Sequence, residues 1–144
     1  MYRAVVPSHA YVPGHNARHP DDWFDEIKAS VTKDVPLDQL HQTDAWKAGL
    51  YYFHAGYFWE CHEVLEAVWM RTADPSPERS ITQAIIQLAN ARLKIRMGKM
   101  NAAQRLCGMV DDLLVQCAGS EAILGLEPKT VKSWVKETRG NIQV

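Results

Sequence analysis

Along most of the chain, hydrophobic residues recur every three to four positions, the spacing that places them on one face of an α-helix. The clearest run predicts a helix capped by Thr43 and ended by Gly56. Its apolar face is formed by Trp46, Gly49, Leu50 and Phe53. A second run continues to about Arg71, with its apolar face at Phe58, Cys61, Leu65, Val68 and Trp69. Because a single glycine joins the two runs, they predict a tight antiparallel hairpin.

A second hairpin follows a short stretch of helix-breaking residues. Ser76 and Pro77 predict the start of a long helix that runs to about Gly98, because serine caps helices and proline suits the first helical position. Most of this helix is apolar, which predicts that it is the central and most buried one. Its narrow polar stripe is formed by Gln83, Gln87, Asn90 and Lys94. A further helix, predicted to be capped by Asn101 and to end at Gly119, completes the hairpin.

The two hairpins match each other when Gly56 is placed over Gly98, 42 residues later. The positions that then coincide are Phe53 with Ile95, Phe58 with Met100, Cys61 with Ala103, Leu65 with Cys107 and Val68 with Val110. Such matching at a fixed period is typical of stacked helical repeats, and tetratricopeptide hairpins are the nearest packing of that kind. Since a free-standing solenoid needs about three repeats and this chain has two, a compact bundle is predicted instead.

Weaker patterns occupy the two ends of the chain. Residues 1–20 contain three prolines and no helical period, which predicts an extended N-terminal arm that lies on the domain or frays from it. Apolar residues at four-residue spacing predict a short helix within 21–35, and Pro128 opens a last helix. These elements predict an all-α fold of about six helices, with residues 21–144 forming one helical domain.

Composition and charge exclude several classes of protein. A chain of 144 residues is long enough to bury a core as one domain, and its net charge of -1 lacks the basic excess expected of a nucleic-acid binder. Its three cysteines are widely spaced without a CxxC pair, which is typical of reduced thiols. There is no secretory-signal pattern and no apolar run near the ~20 residues that span a bilayer. We therefore expect a cytoplasmic protein, neither exported nor embedded in a membrane.

Polar chemistry meets the core in the second helix of the first hairpin, at His62, Glu63 and Glu66. On a helical wheel His62 lies about 20° from Trp69, so we expect it to be half-buried, and Glu66 lies further round, at the border of the apolar face. Residues four apart are neighbours on a helix, which places Glu66 to bond a ring nitrogen of His62. Glu63 points more toward solvent. The residues expected to line a pocket beside this pair are Trp59, Trp69, Gln83 and Gln87.

Two interpretations of these polar residues remain open. In the first, His62 and Glu66 supply two ligands to a divalent metal or act as an acid/base pair, with Glu63 or Gln87 in support. The run His-Glu-x-x-Glu lacks the second histidine of a zinc-protease helix, so another element would have to complete a metal site. Histidines that could do so are His15, His19, His41 and His54. In the second interpretation, His62, Glu66 and the two glutamines satisfy one another where two helices cross.

Two surface features offer further candidates. Lys129, Lys132, Lys136 and Arg139 share one face of the last helix, where a solvated surface is the commoner interpretation and contact with RNA or an acidic protein is the alternative. A candidate exposed aromatic patch consists of Tyr51, Tyr52, Tyr57 and Trp59. Such a patch could hold a ligand, or could join two copies of the chain in a homodimer.

The first hairpin and the long helix together resemble a known family. Residues 53–66 read Phe-His-Ala-Gly-Tyr-Phe-Trp-Glu-Cys-His-Glu-Val-Leu-Glu, followed by Trp69, by residues 83–89 as Gln-Ala-Ile-Ile-Gln-Leu-Ala and by Gly98. This combination is similar to the bacterial and archaeal domain of unknown function family 309, over about residues 43–115. The resemblance implies a compact all-helical fold, but no activity, substrate or cofactor. The signature positions of the family fall on His62, Glu63, Glu66, Trp69 and Gln87.

These observations favour a small binding or accessory protein that recognises a partner protein, a peptide or a small ligand. The alternative is a metal-assisted or acid/base enzyme, hydrolase-like, that uses His62 and Glu66. An enzyme requires a solvent-reachable pocket in which this pair converges with a third polar side chain. A binding module requires an accessible surface with suitable side chains, such as the aromatic patch.

Overall fold

A computed structural model describes residues 5–117, 119 and 121–142, which fold into six α-helices and one 3₁₀ helix. The α-helices are α1 (Asp25–Lys28), α2 (Asp44–Ala55), α3 (Phe58–Trp69), α4 (Pro77–Arg96), α5 (Met100–Val115) and α6 (Pro128–Gly140). The 3₁₀ helix spans Leu37–Gln42. Within the described ranges there is no strand, although Ile123 and Leu126 form an isolated antiparallel bridge. The predicted all-α fold is confirmed.

The ends of the hairpin helices follow the local signals of the sequence. The Thr43 hydroxyl accepts a hydrogen bond from the backbone N–H of Trp46 (3.3 Å), and the Ser76 hydroxyl accepts one from that of Arg79 (3.0 Å). Gly56 ends α2 with φ 89°, a left-handed conformation that glycine adopts without strain. This turn leaves α2 and α3 packed side by side as the predicted hairpin.

The long helix α4 is the centre of the fold, as predicted. It packs against α3, α5 and α6, and half of its 20 residues are buried. Its polar stripe is not among them, since Gln83, Gln87, Asn90 and Lys94 are only half-buried. One line of polar side chains on the central helix therefore remains accessible between its neighbours.

The predicted helix within 21–35 was wrong in extent. Only Asp25–Lys28 is α-helical, and the 3₁₀ helix that follows was not predicted. Ser30 explains the early end: its hydroxyl donates to the carbonyl of Ile27 (2.6 Å) and accepts from the backbone N–H of Ala45 (3.0 Å). A side chain bonded to nearby backbone in this way competes with helix continuation.

The predicted bounds of the fifth helix were also wrong. Asn101 does not cap it, because α5 already begins at Met100. The backbone N–H of Lys99 donates to the carbonyl of Lys94 (2.9 Å), which closes the end of α4 and leaves a very short joint. At its other end α5 stops at Val115, four residues before the predicted Gly119, and the turn that follows buries Cys117.

The N-terminal arm lies on the helical domain over its described part. Val12 and His19 are buried, and the carbonyl of Val5 accepts a hydrogen bond from the Tyr52 hydroxyl (2.6 Å). Tyr52 is fully buried, which corrects its place in the expected exposed aromatic patch; Tyr51 beside it is exposed. The physical reason is that the arm and the core enclose the Tyr52 ring.

The cysteines and the lengths of the helices bear on the chemistry and the location open to the chain. Its three cysteines are free and buried, and burial together with the nearby negative charge of Glu60 raises the pKa of the Cys61 thiol. Low thiolate content makes such a thiol a poor nucleophile. No helix in the described part of the chain has both the length and the apolar character needed to cross a bilayer.

Candidate ligand-binding groove

The half-buried stripe of α4 begins at a cavity between α3 and α5. Gln83 lies in this stripe and lines the cavity together with Trp69 of α3 and with Met109 and Leu113 of α5. We use the name α3–α5 groove for these residues and for those that continue their helical faces: His62 and Glu66 on α3, Gln87, Asn90 and Lys94 on α4, and Leu106 on α5. Each set lies on one helical face, because its members are three, four or seven residues apart.

A cavity occupies the end of the groove at the carboxyl end of α3. Its volume is about 440 Å³, within the ~300–1,000 Å³ usual for small-ligand sites. Apolar side chains in its lining are Trp69, Pro75, Met109 and Leu113, and the polar ones include Asp74, Ser76, Arg79, Ser80, Gln83, Asp112 and Gln116. An apolar surface with a few polar groups around it is the composition typical of a binding pocket.

Trp69 and Arg79 define the chemistry of this cavity. The guanidinium carbon of Arg79 lies 3.7 Å from the centroid of the Trp69 ring, a cation–π contact. The Arg79 Nε also lies 3.7 Å from Oδ1 of Asp74, which holds the guanidinium in place. The indole Nε1 of Trp69 is buried and has no hydrogen-bond partner among the described residues. An unpaired buried donor is unfavourable, and a ligand acceptor that reached it would remove that penalty.

His62 and Glu66 lie on the same face of α3 as Trp69, outside the residues that line the cavity. The structure places Nε2 of His62 3.2 Å from Oε2 of Glu66, the neighbour relation that their spacing predicts. The His62 side chain is 31 % exposed and that of Glu66 54 %. Glu63 lies off this line, and its carboxylate accepts a hydrogen bond from Lys28 Nζ (3.1 Å). The groove wall therefore carries an accessible His–Glu pair.

The remote histidines have other neighbours. His19 pairs with Glu60, and the His54 ring packs edge-on against Trp134, with 4.8 Å between centroids. Burial, followed by the positive charge of Arg92, lowers the pKa of His54. Within the described ranges, no group of three or more His, Cys, Asp or Glu side chains has an arrangement that could hold a metal ion.

The amino-acid segment that builds the floor and the α3 wall matches a known family. Residues 46–106 match DUF309, a domain of unknown function. The predicted resemblance is confirmed over this range. The DUF309 segment covers most of α2, all of α3 and α4, and α5 as far as Leu106, whereas the arm and α6 lie outside it. No curated protein and no solved structure matches the chain.

Two of the four expected pocket residues have different neighbours. Trp59, inside the DUF309 segment, packs against the arm, with its ring centroid 5.0 Å from that of Tyr11 and 6.1 Å from that of His19. Gln87 lies on the groove floor, where its Oε1 accepts a hydrogen bond from Asn90 Nδ2 (3.3 Å). Trp69 and Gln83 both line the cavity.

Glu60 is a buried site that the sequence analysis did not single out. Its Oε2 accepts a hydrogen bond from the Tyr11 backbone N–H (2.8 Å) and lies 2.7 Å from His19 Nε2. Both side chains of the pair are almost inaccessible to solvent. A signal was present, because Glu60 lies on one helical line with Val64 and Ala67, and that second apolar line of α3 indicates another buried face. The pair joins the arm to the DUF309 segment.

Proposed function

We propose that the chain is a binding module that holds a short, extended peptide segment in the α3–α5 groove. The observation that carries this proposal is the cavity of about 440 Å³ beside Trp69, which all three groove helices line. The other polar residues of the groove continue from this cavity along the two helices: His62 and Glu66 on α3, and Gln87, Asn90 and Lys94 on α4. A segment could therefore place one side chain in the cavity and continue along the floor.

The groove floor supports an extended backbone as the ligand. Side-chain amides carry both donors and acceptors, so Gln83, Gln87 and Asn90 can bond to peptide N–H and C=O groups. Gln83 and Gln87 are about 6 Å apart along the helix axis. Alternate residues of an extended chain repeat every ~6.6 Å, because each rises about 3.3 Å. The side-chain amides of Gln83 and Gln87 can thus bond to the same kind of backbone group on alternate residues of one extended peptide.

The cavity favours an apolar anchor side chain with polar neighbours. Trp69, Met109 and Leu113 offer apolar surface, and Met109 is 48 % exposed although it lies in a groove. Burial of that surface by a ligand is favourable by roughly 25 cal/mol per Å². Arg79, held by Trp69 and Asp74, provides hydrogen-bond donors at the mouth of the cavity.

Peptides selected from a random displayed library against the intact chain test the proposal. We expect the Gln83→Ala/Gln87→Ala double variant to bind a selected peptide about 10-fold more weakly, because two hydrogen bonds of about 1 kcal/mol each are lost in part. Fluorescence anisotropy of the labelled peptide measures the affinity. The matched control is Gln104→Ala, an exposed glutamine on the opposite side of α5, which should leave the affinity unchanged.

A second substitution tests the cavity itself. Met109→Asp should weaken the same peptide about 10-fold, since it places a charge on the apolar surface of the cavity. Leu37→Asp makes the same kind of change at an exposed leucine of the 3₁₀ helix and should have no effect. If both groove variants bind as the wild type does while retaining their helical circular dichroism, the peptide does not occupy this groove.

A second candidate function is metal-assisted or acid/base chemistry at His62 and Glu66. One observation favours it: the two side chains are paired at 3.2 Å and both are accessible to solvent. Elemental analysis of the untagged protein, beside a His62→Ala variant, separates the candidates. The binding proposal predicts the same metal content in both proteins. Near-stoichiometric metal in the wild type that is lost in His62→Ala would replace it with a metal-dependent enzyme.

A further inference from the structure

A second groove lies outside the DUF309 segment, between the carboxyl end of α5 and the length of α6. It encloses about 860 Å³, nearly twice the volume of the cavity beside Trp69. Its accessible apolar surface comes from Val115 of α5, which is 71 % exposed, and from the half-buried Pro128 of α6. Leu114 and Val135 line the groove from the core, since both are buried.

The groove is bordered by cations on the α6 side. Lys129, Lys132, Lys136 and Arg139 all line it, at spacings that place them on one face of α6. Lys129 pairs with Glu127 (3.0 Å), and Arg139 donates to Asp111 (2.6 Å), a hydrogen bond that raises the pKa of Arg139. Lys132 and Lys136 are exposed, and no carboxylate of the described residues forms an ion pair with either. Two ammonium groups thus face solvent beside an apolar surface.

We propose that this groove docks an acidic amphipathic segment of a partner protein. The carboxylates of such a segment would lie against Lys132 and Lys136, and its apolar side chains against Val115 and Pro128. We infer an acidic partner from charge complementarity. The unpaired charges of the groove are positive, although the chain as a whole has a net charge of -1.

Two other occupants fit the groove less well. Single-stranded nucleic acid is bound through its phosphates together with aromatic stacking, and none of the described residues that line this groove carries an aromatic ring. A second copy of the chain docked by a two-fold axis would bring the same lysines face to face, because such an interface pairs a surface with itself. An acidic amphipathic segment satisfies both the cations and the apolar surface.

The test uses a short fluorescein-labelled peptide with leucine on one helical face and glutamate on the others. Two control peptides replace its glutamates by glutamine or its leucines by alanine. We expect the intact chain to bind the first peptide at least ~10-fold more tightly than either control, and more weakly as salt is raised. Anisotropy titrations measure all three affinities. Equal binding of the three peptides would overturn the proposal.

Variants of the chain then locate the binding. Lys132→Glu/Lys136→Glu should weaken the peptide at least ~10-fold, because both attractions become repulsions. Lys33→Glu/Lys99→Glu makes the same charge change at exposed lysines away from the groove and should change the affinity less than ~2-fold. Val115→Ser should lower the affinity for the peptide about 3-fold, because apolar contact is lost. Val115 is exposed, so we do not expect this substitution to disturb the fold.

Three further outcomes would overturn the acidic-segment proposal. The first is equal loss of affinity in both lysine double variants, which would reflect net charge alone. The second is binding of duplex RNA or phosphatidylglycerol vesicles, lost in Lys132→Glu/Lys136→Glu, by a chain that does not bind the acidic peptide. The third is a wild-type dimer in sedimentation analysis that becomes a monomer in that variant, which would make the groove a self-association surface.

Discussion

The Glu60→Ala variant is expected to be less stable than the wild type by about 2 to 5 kcal/mol, because it leaves two buried groups without their hydrogen-bond acceptor and each such loss costs about 1 to 3 kcal/mol. The substitution leaves His19 buried without its partner and removes the acceptor of the Tyr11 backbone N–H. Urea unfolding followed by circular dichroism measures the change as a shift in midpoint. Because Glu60 connects the arm to α3, we also expect faster proteolysis within residues 5–19.

Glu66→Ala is the matched control on the same helix. Its carboxylate is more than half exposed and pairs with His62 four residues away, so its removal should cost no more than about 0.5 kcal/mol. A Glu60→Ala protein that is as stable as Glu66→Ala would contradict the account, because the arm would then be held by other contacts.

Gly49→Ala is the second change expected to have a large effect on stability. A Cβ at this position of α2 would lie 2.4 Å from Cδ2 and 2.5 Å from Cγ of Leu65, closer than real Cβ contacts allow. Leu65 is fully buried and surrounded by the core, so either its side chain leaves its favoured rotamer or α2 and α3 move apart. Overpacking of this kind costs about 1 to 3 kcal/mol. A lower thermal unfolding midpoint measures it.

Gly108→Ala provides the control in another helix. Gly108 lies within α5, and a Cβ there would meet no atom within 4 Å. Since alanine favours a helix over glycine by about 0.5 to 1 kcal/mol, this variant should be slightly more stable than the wild type. The same direction of change in both glycine variants would show that α2 and α3 do not approach closely at Gly49.

Local signals explain why much of the fold was predictable from sequence. Thr43 and Ser76 cap helices through atoms three residues away, and Gly56 ends α2 through its own backbone freedom. The polar stripe of α4 could be predicted for the same reason, since helical period alone places Gln83 and Gln87 on one side. Each of these features depends on a few consecutive residues.

Features that depend on distant partners could not be predicted in this way. The hydroxyl of Ser30 ends the first helix by bonding to Ala45 as well as to Ile27. The pairing of Glu60 with His19, 41 positions earlier in the chain, depends on how the arm lies against α3. The cavity could not be predicted because it depends on how α3, α4 and α5 lie relative to one another. The helical period of each helix contains no information about that placement.

The most direct test of the binding proposal is a nuclear magnetic resonance titration with a peptide selected on the chain. The reporter is the indole N–H signal of Trp69, assigned by its loss in Trp69→Phe, since the Trp69 side chain lines the cavity and its N–H has no hydrogen-bond partner among the described residues. The account predicts that this signal and the Gln83 and Gln87 amide signals shift until saturation, while the Trp134 indole signal stays in place. Unmoved Trp69 and glutamine signals at peptide saturation would contradict it.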